Sequence, residues 1–461
     1  MKFTSNFSRT ISICLFGFLF VGCQNTLLPI GNSQDSTGQP LNSGLGGRPP
    51  GNGGNPSATP NGVPAGAINV LNSGAKGDGS TDDASAIQNA INNCSNGGTV
   101  YFPHGTYFIS TTLSAKTGCT YTTNESGVTL QGYSGTEAGG YSILGFFTNS
   151  GGSTVISNLT FRGGGIQISA DMSNLSITRN TFRDILNSNG FGAASSGISQ
   201  GSGFNMLRNS SIDHNEFLNI YGPGELDNYG DYSKIGFLAY ELADVTISNN
   251  IFDTISGDSI NMPYNTSDTS ANAKANVVIQ NNTIRNSRRM PIEIQALYLV
   301  NPIVSYNLIT DYWQPEMWDI GISFAPGFGT YSGVAIGAVV SNNYIDGTNS
   351  HGRGAGNSDG TCIELMGLAT VSNSNVCKTS VTASGLPMFG SAFMIAGNDA
   401  QISNSIFCGP FAVSDPVTYE NPYPENFGHA ANVNNNITTA SCDNVAPPSS
   451  LTGASGVIGA Q

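Results

Sequence analysis

The sequence predicts an all-β fold, mainly a single-stranded parallel β-helix, in which the chain winds through successive coils of short strands. A six-residue pattern that starts with Ile or Val recurs nine times. Its spacing runs from 21 residues (Ile156 to Ile177) to 36 residues (Val304 to Val340). The pattern is rich in β-branched residues and Asn and has no helical period. The 59 glycines can supply turns, while 38% hydrophobic residues can form a core.

The nine copies are apolar at both ends, and six of them carry Asn at the fourth position. They begin at Ile156, Ile177, Ile212, Ile247, Ile279, Val304, Val340, Val371 and Ile402. The asparagines are Asn180, Asn215, Asn250, Asn282, Asn307 and Asn343. We expect them to be structural, because Asn tolerates the left-handed backbone conformation and its amide can bridge neighbouring backbone groups.

The first 22 residues are predicted to be a lipoprotein signal peptide. Lys2 and Arg9 precede an apolar run over residues 11–21, which is shorter than the roughly 20 apolar residues of a membrane-spanning helix. The run ends in Phe-Val-Gly-Cys23, which resembles a bacterial lipobox with Phe in place of Leu. The resemblance implies that Cys23 is lipidated and that lipid alone anchors the protein at the outer membrane or cell surface. An ordinary signal peptide cut nearby is the alternative.

Composition divides the rest of the chain into a tether, a body and a tail. Residues 23–66 are dominated by Gly, Pro, Ser and Asn and cannot bury a core, so we expect a disordered tether. The β-helix is predicted to occupy residues 67–443, and a flexible tail residues 444–461. The formal charge of −14 disfavours a nucleic-acid partner, because phosphate binding needs a basic surface.

Six of the eight cysteines remain once Cys14 in the signal and Cys23 at the lipid site are set aside. An even number in an exported chain favours disulfides. Proximity suggests the pairs Cys94–Cys119, Cys362–Cys377 and Cys408–Cys442, although the sequence alone leaves the pairing open. No Cys/His cluster points to zinc.

A helix is predicted at the start of the body, after a turn-rich loop over residues 74–83 that ends in N-cap residues. Ala84, Ile87, Ala90 and Ile91 lie on one face of this helix, and residues 97–109 follow as strand, turn and strand. The run GAKGDGSTDDASAIQNAI, followed by GGTVYFPHGTYFI, resembles the N-terminal signature of the pectate-lyase superfamily, which also opens polygalacturonase-like, epimerase-like and phage tailspike β-helices. The resemblance implies a right-handed parallel β-helix whose first coil the helix caps. It concerns fold rather than chemistry.

A second strand follows several copies of the pattern, and strand alternation assigns its faces. These segments are Tyr240-Glu-Leu242, Ile260-Asn-Met262, Ile292-Glu-Ile294, Ile322-Ser-Phe324 and Ile363-Glu-Leu365. Their flanking residues are predicted to point inward and their middle residues outward. Stacked in register, the middle residues form one outer row of Glu241, Asn261, Glu293, Ser323 and Glu364.

Two carboxylates in this row would lie two coils apart, about 9.6 Å. An inverting glycoside hydrolase places its carboxyl groups roughly 6.5–9.5 Å apart, which leaves room for a water molecule. We therefore predict Glu241, Glu293, Glu364 and the nearby Asp258 as catalytic residues, with Asn261 contacting the substrate. This hydrolysis needs no cofactor. Solvated carboxylates on a polar face are the alternative.

The same residues suggest a second chemistry. Asn261 and Glu293 offer oxygen ligands of the kind that Ca²⁺ prefers. In β-helix polysaccharide lyases, which this fold resembles, a bound cation acidifies the α-proton of a uronate and a basic residue removes it. Lys234, Arg288 and Arg289 are the nearest candidates here, although a structural role in salt bridges is the alternative.

Aromatic residues close to the predicted row could stack on sugars. Tyr312, Trp313 and Trp318 lie in a loop just before the Ile322 segment, although packing over the body is the alternative. The polygalacturonase pattern is incomplete, because the chain has no Gly-His-Gly and no Arg-x-Lys. His104 and His214 are expected to be structural or exposed.

Together these features predict a cell-surface, carbohydrate-active enzyme that hydrolyses an extracellular polysaccharide with paired carboxylates. A Ca²⁺-dependent polysaccharide lyase or epimerase is one alternative. A non-catalytic, glycan-binding adhesin is another, because a fold does not determine a function.

Overall fold

The structure is a computed structural model, and it describes most of the chain from residue 62 onward. The described residues are 62–132, 142–149, 151–186, 196–201, 205–222, 234–263, 274–295, 299–312, 320–324, 336–348, 361–365, 370–379, 394–396, 401–409, 417–418, 432–448 and 451. The predicted signal peptide, Cys23 and most of the tether lie outside them. No helix in the described part of the chain is long and apolar enough to cross a membrane.

The strands of the described residues form three sheets in which neighbouring strands are parallel, as the sequence predicts. The first sheet contains Ile68–Asn69, Thr99–Tyr101, Thr120–Thr122, Thr154–Ser157, Met172–Ser173, Leu175–Thr178, Leu207–Asp213, Leu242–Ser248, Lys274–Ala275, Val278–Gln280, Leu299–Val300, Ile303–Ser305, Val339–Ser341, Val371–Asn373, Gln401–Ser403 and Asn432–Asn434.

The second sheet follows the first around each coil. It contains Asp78–Asp82, Gly105–Phe108, Val128–Gln131, Thr160–Arg162, Thr181–Ile185, Glu216–Ile220, Ile251–Ile255, Thr283–Ser287, Leu308–Thr310, Tyr344–Gly347, Val376–Thr379, Ile406–Cys408 and Ile437–Thr439. A tight corner separates the two sheets, so one copy of the recurring pattern spans both.

The third sheet completes each coil. It contains Leu113–Ser114, Leu144–Phe146, Ile166–Ile168, Ser196–Gln200, Ile235–Leu238, Ile260–Met262, Ile292–Ile294, Ile320–Phe324, Thr361–Leu365, Met394–Ala396 and Val417–Thr418. Each coil visits the three sheets in the same order, which makes the architecture a parallel β-helix. Since crossovers between parallel strands of one sheet are right-handed, the β-helix is right-handed, which confirms the predicted fold class.

An α-helix, Ala84–Asn93, lies at the start of the β-helix after a 3-10 helix, Val70–Ser73. Its buried residues are the four that the spacing predicts. Asp83, the residue before it, makes no capping hydrogen bond; its carboxylate accepts instead from the backbone N–H groups of Lys76 and Gly77. The helix therefore caps the first coil, while Asp83 holds the preceding loop.

The recurring pattern is confirmed in register for its first seven copies, whose leading residues pair along the first sheet from Ile156 to Val340. The eighth copy was misaligned by one residue. Ser372, not Val371, pairs with Val340 and holds the inward position. Ser372 is accommodated there because its hydroxyl accepts a hydrogen bond from the Asn375 amide, 2.9 Å away.

The predicted asparagine row is a buried ladder. From Asn180 to Asn343, the Nδ2 and backbone N–H of each Asn donate to the Oδ1 of the next at 2.9–3.1 Å. The ladder continues to Asn375. The residue before each Asn, such as Arg179 or His214, has the positive φ, so the expected left-handed conformation lies one position earlier. The structural role is confirmed.

The interior is an apolar column that includes stacked phenylalanines. The rings of Phe161, Phe182, Phe217 and Phe252 lie 4.5–5.0 Å apart in successive coils. Beyond the predicted end of the β-helix, Leu451 is also buried, against Tyr344 and Val376. A tail residue thus packs on the outer face of the second sheet.

Two of the three predicted disulfides are present, Cys94–Cys119 and Cys408–Cys442. The third is absent, because Cys362 and Cys377 are free thiols, both buried. The two thiols are neighbours, and burial together with Cys362 raises the pKa of Cys377 well above its usual value. His104 and His214 are structural or exposed as expected: Nδ1 of His104 donates to the carbonyl of Ser126, and His214 lies beside Asp213.

Candidate active site

The third sheet aligns four of the five residues in the predicted row. Asn261 pairs with Glu293, Glu293 with Ser323, and Ser323 with Glu364. The position before Asn261 belongs to Leu238 rather than to Glu241. The row in the structure is therefore Leu238, Asn261, Glu293, Ser323 and Glu364, and we call it the site row.

The site row is buried, which corrects the expectation that it faces solvent. Residues on either side, such as Ile292 and Ile294, belong to the hydrophobic core, so the predicted alternation holds. Glu293 nevertheless has only 1% of its surface exposed, and Glu364 only 2%. The alternative of solvated carboxylates on a polar face is therefore wrong for these two residues.

Asp258 and Glu293 form one buried cluster. Asp258 is not a member of the site row, because it lies in the corner just before the strand Ile260–Met262 that carries Asn261. Asn261 Nδ2 donates to Oδ2 of Asp258 and, over 2.6 Å, to Oε2 of Glu293. The same two carboxyl oxygens accept from Nη1 of Arg289 at 2.8 Å and 3.2 Å. A carboxylate from each of two successive coils thus shares one amide donor and one guanidinium donor.

Two further donors fix the orientation of these carboxyl groups. The backbone N–H of Met290 donates to Oδ1 of Asp258 over 3.0 Å. The amide of Gln295 donates to Oε1 of Glu293 over 2.7 Å. Asp258 is fully buried, whereas the Arg289 side chain is 25% exposed, so Arg289 is on the solvent side of the cluster.

Glu293 retains its proton more readily than an ordinary glutamate. Burial raises its pKa well above the usual value, and the neighbouring Asp258 raises it further through its charge and a hydrogen bond. Arg289 acts in the opposite direction, and the charge of Glu364 adds a smaller upward effect. Glu293 is thus suited to donate a proton.

Glu364 has a different environment. The hydroxyl of Ser323 donates to its Oε2 over 2.6 Å. Since Ser323 is the intervening residue of the site row, Glu293 and Glu364 are two coils apart, about 9.6 Å along the sheet.

Glu241 does not belong to this cluster, which corrects its assignment as a catalytic residue of the row. It lies just before the first-sheet strand Leu242–Ser248, and its backbone N–H donates to Oε1 of Gln200 over 2.8 Å. Its carboxylate pairs with Lys274 at 3.3 Å, with both side chains almost fully buried. Tyr240 and Glu241 are therefore part of the turn between the third and first sheets, and Leu242 begins the first-sheet strand.

The other predicted substrate-binding residues have mixed outcomes. Lys234 is fully buried just before the strand Ile235–Leu238, and its carbonyl accepts from Gly257 N–H over 2.9 Å. Arg288 is partly exposed in the corner before the site row. Trp313 and Trp318 lie outside the described residues. Tyr312, their neighbour, is buried in the hydrophobic core and is not a sugar platform.

A calcium ion does not fit this arrangement. Asp258, Asn261 and Glu293 provide oxygen atoms, but Nη1 of Arg289 already lies against both carboxylates, where a cation would bind. Within the described residues there is no group of three or more His, Cys, Asp or Glu residues able to hold a metal ion.

For Arg289 the alternative of a structural role in salt bridges is confirmed, and its spacing of four residues from Glu293 is compatible with the ion pair. Gln295 was missed; it lies two positions after Glu293, so strand alternation places it on the same face. Both donate to the carboxyl groups that the sequence had identified.

Comparisons with known proteins agree with this architecture. The family model described as rhamnogalacturonase A/epimerase, pectate lyase-like, matches residues 67–296, from before the capping helix to just past Glu293. Among curated proteins, none matches the chain significantly.

Several solved structures have a similar fold. The surface protein and adhesin PfbA of Streptococcus pneumoniae is 16% identical, with a TM-score of 0.56 over 81% of this chain and 97% of that one. Pre-mature gene product 12 of bacteriophage phi29 is 18% identical, with a TM-score of 0.51 over 80% and 49%. The tailspike of E. coli bacteriophage HK620, as a double mutant, is 13% identical, with a TM-score of 0.50 over 81% and 66%. The family model matches just under half of the chain, and the similar structures show that the described chain has the right-handed parallel β-helix fold.

Proposed function

We propose that this protein hydrolyses a glycosidic bond of an extracellular polysaccharide at the cluster formed by Asp258, Glu293 and Glu364. The observation that carries the proposal is the buried carboxyl pair of Asp258 and Glu293, in which the pKa of Glu293 is raised. Perturbed carboxyl groups of this kind are frequent at active sites. The matched family model, whose description names a rhamnogalacturonase and an epimerase, supports a polysaccharide as the partner.

In the proposed reaction Glu293 is the general acid and Glu364 is the general base. Glu293 gives its proton to the glycosidic oxygen as the bond from that oxygen to the anomeric carbon breaks. Glu364 takes a proton from a water molecule, whose oxygen forms the new bond to the anomeric carbon. Separation by two coils, about 9.6 Å at the backbone, suits inversion because a water molecule must fit beside the sugar.

Asp258 and Asn261 hold the proton donor in place in this proposal. Asn261 donates to both carboxyl groups, and Asp258 keeps Glu293 protonated through its negative charge. The partly exposed Arg289 partly neutralises Asp258 and is the member of this pair that solvent reaches. A cell-surface location with a lipid on Cys23 forms part of the same proposal and depends on the N-terminal motif alone.

The test is a screen of the purified protein against a panel of neutral and acidic polysaccharides, with and without a chelator. We expect new reducing ends, no gain in ultraviolet absorbance from unsaturated sugars, and no effect of the chelator. Glu293→Gln should lower kcat at least 100-fold, the scale of a lost general acid. Glu216→Gln is the matched control, since Glu216 is a partly buried glutamate of the second sheet. Absorbance gain that the chelator abolishes would instead favour the Ca²⁺-dependent lyase.

A non-catalytic glycan-binding role is the second candidate. The observation that favours it is burial, since Asp258, Glu293 and Glu364 have 0–2% of their surface exposed. In that case polysaccharide binding would be measurable without any product, and Glu293→Gln would leave the binding constant unchanged.

A further inference from the structure

Ser323 separates the two proposed catalytic glutamates within the site row. Its register partners are Glu293 on one side and Glu364 on the other. Its side chain is fully buried, and its hydroxyl lies 2.6 Å from Oε2 of Glu364. No such hydroxyl contact to Glu293 is present in the described residues; the donors to Glu293 are Asn261, Arg289 and Gln295.

The two glutamates differ in their charged neighbours. Glu293 also accepts hydrogen bonds, but burial and the charge of Asp258 raise its pKa all the same, whereas the hydroxyl of Ser323 donates to Glu364. A hydroxyl that donates to a carboxylate stabilises the charged form, whereas burial alone stabilises the neutral form. Glu364, at 2% exposure, would therefore bind a proton more readily without its serine partner. The charge of Glu364 in turn helps to keep the proton on Glu293.

We infer that Ser323 is a positioning residue that determines which glutamate is the acid and which is the base. Its hydrogen bond holds Glu364 as the ionised base, while Glu293, two coils away, remains the acid. This inference rests on the proposed hydrolysis. According to this inference, the neutral residue Ser323 determines which of the two glutamates takes the proton from water.

The hydrogen bond from Ser323 should influence how kcat depends on pH. The acidic limb of the kcat profile reports ionisation of the base, and the basic limb reports deprotonation of the acid. Ser323→Ala removes a donor to the ionised form of Glu364, so its pKa rises. The acidic limb should therefore move upward by about one pH unit, since a hydrogen bond to a charged group is of this size. The basic limb should stay in place.

The experiment compares Ser323→Ala with Ser323→Thr, which retains the hydroxyl, and with Ser305→Ala, which removes a buried serine of the first sheet. Profiles of kcat and KM against pH are recorded on the polysaccharide that the wild-type protein cleaves. In parallel, carbon-13 NMR follows the titration of Glu carboxyl groups, and Glu364→Gln identifies the Glu364 signal. The NMR measurement does not need activity.

The inference is supported if Glu364 titrates at higher pH only in Ser323→Ala and the acidic limb of kcat moves with it while KM is unchanged. An unchanged Glu364 titration in Ser323→Ala overturns it, whether or not the protein is a hydrolase. A changed titration in a protein that cleaves no polysaccharide overturns the proposed hydrolysis and the assignment of Glu364 as a base. The two failures are thus distinguishable.

Discussion

The Nη1 atom of Arg289 lies 2.8 Å from Oδ2 of Asp258, and this ion pair joins two successive coils at the centre of the candidate site. Asp258 is fully buried, and its carboxylate accepts from this guanidinium and from the backbone N–H of Met290. The contact has two consequences, one for stability and one for the proton on Glu293.

Arg289→Ala should destabilise the protein at pH 7 by roughly 3 kcal/mol, because removing one partner of a buried ion pair leaves the other uncompensated. Urea unfolding at pH 7 measures the change. Arg285→Ala is the control: Arg285 pairs with Asp253 across the same two coils, but both side chains are more exposed, and the expected cost is about 0.5 kcal/mol. Equal losses in the two variants would contradict the special role of Arg289.

The free energy of unfolding should fall as the pH rises, because of the titration of Glu293. Its pKa is raised in the folded state, so the folded protein binds this proton more tightly than the unfolded chain does. The resulting stabilisation is complete below the ordinary glutamate pKa and is lost as the pH rises towards the higher folded value. Urea unfolding between pH 4 and pH 8 should show this decline in the wild-type protein and a smaller one in Glu293→Gln. Parallel curves for the two proteins would show that Glu293 titrates normally.

The asparagine ladder should be a major source of stability. Asn250→Ala removes the amide that receives two hydrogen bonds from Asn215 and gives two to neighbouring groups. Leaving buried backbone groups unpaired should cost roughly 2–3 kcal/mol. Denaturant unfolding measures the loss, and Asn93→Ala at the exposed end of the capping helix should change stability by less than about 0.5 kcal/mol.

Cys362 and Cys377 should be free but unreactive in the folded protein. Both are buried, and a raised pKa lowers the fraction of Cys377 present as the reactive thiolate. Without reductant, denaturation should release two more titratable thiols in the wild-type protein than in the double variant Cys362→Ser, Cys377→Ser. An identical thiol count would mean that the two cysteines are bonded to each other.

Leu451 should fasten the C-terminal segment to the second sheet. It packs against Tyr344 and Val376, and the Tyr344 hydroxyl donates to the Val445 carbonyl at 3.5 Å. Leu451→Ala should cost about 2 kcal/mol, the lower range for truncating a buried leucine. The control is Ile437→Ala, since Ile437 is 60% exposed. Its stability change should be below about 0.5 kcal/mol. Limited proteolysis would show whether the tail is released.

Much of the site could be predicted from the sequence because strands alternate with a period of two. The segments around Asn261, Glu293 and Ser323 each carry one polar residue between two apolar ones, and that local pattern fixes which residue leaves the core. Glu241 also lies between two apolar or aromatic residues, but its segment is not part of the third sheet. Its segment follows the strand Ile235–Leu238, whose Leu238 already pairs with Asn261. Loops of unequal length separate the coils, so local pattern alone could not set that register.

By itself, the sequence determined that the chain forms a β-helix, where its coils recur, which helix caps it and that Glu293 and Glu364 share a face. These properties depend on local hydrophobic alternation and on turn residues, and both involve residues that are close together in the sequence. Only the tertiary structure decided that Asp258, Glu293 and Glu364 are buried, that Arg289 bridges the first two and that Cys362 and Cys377 remain unbonded. Burial and proton affinity depend on atoms from coils about thirty residues apart, whose positions are fixed only when the coils stack.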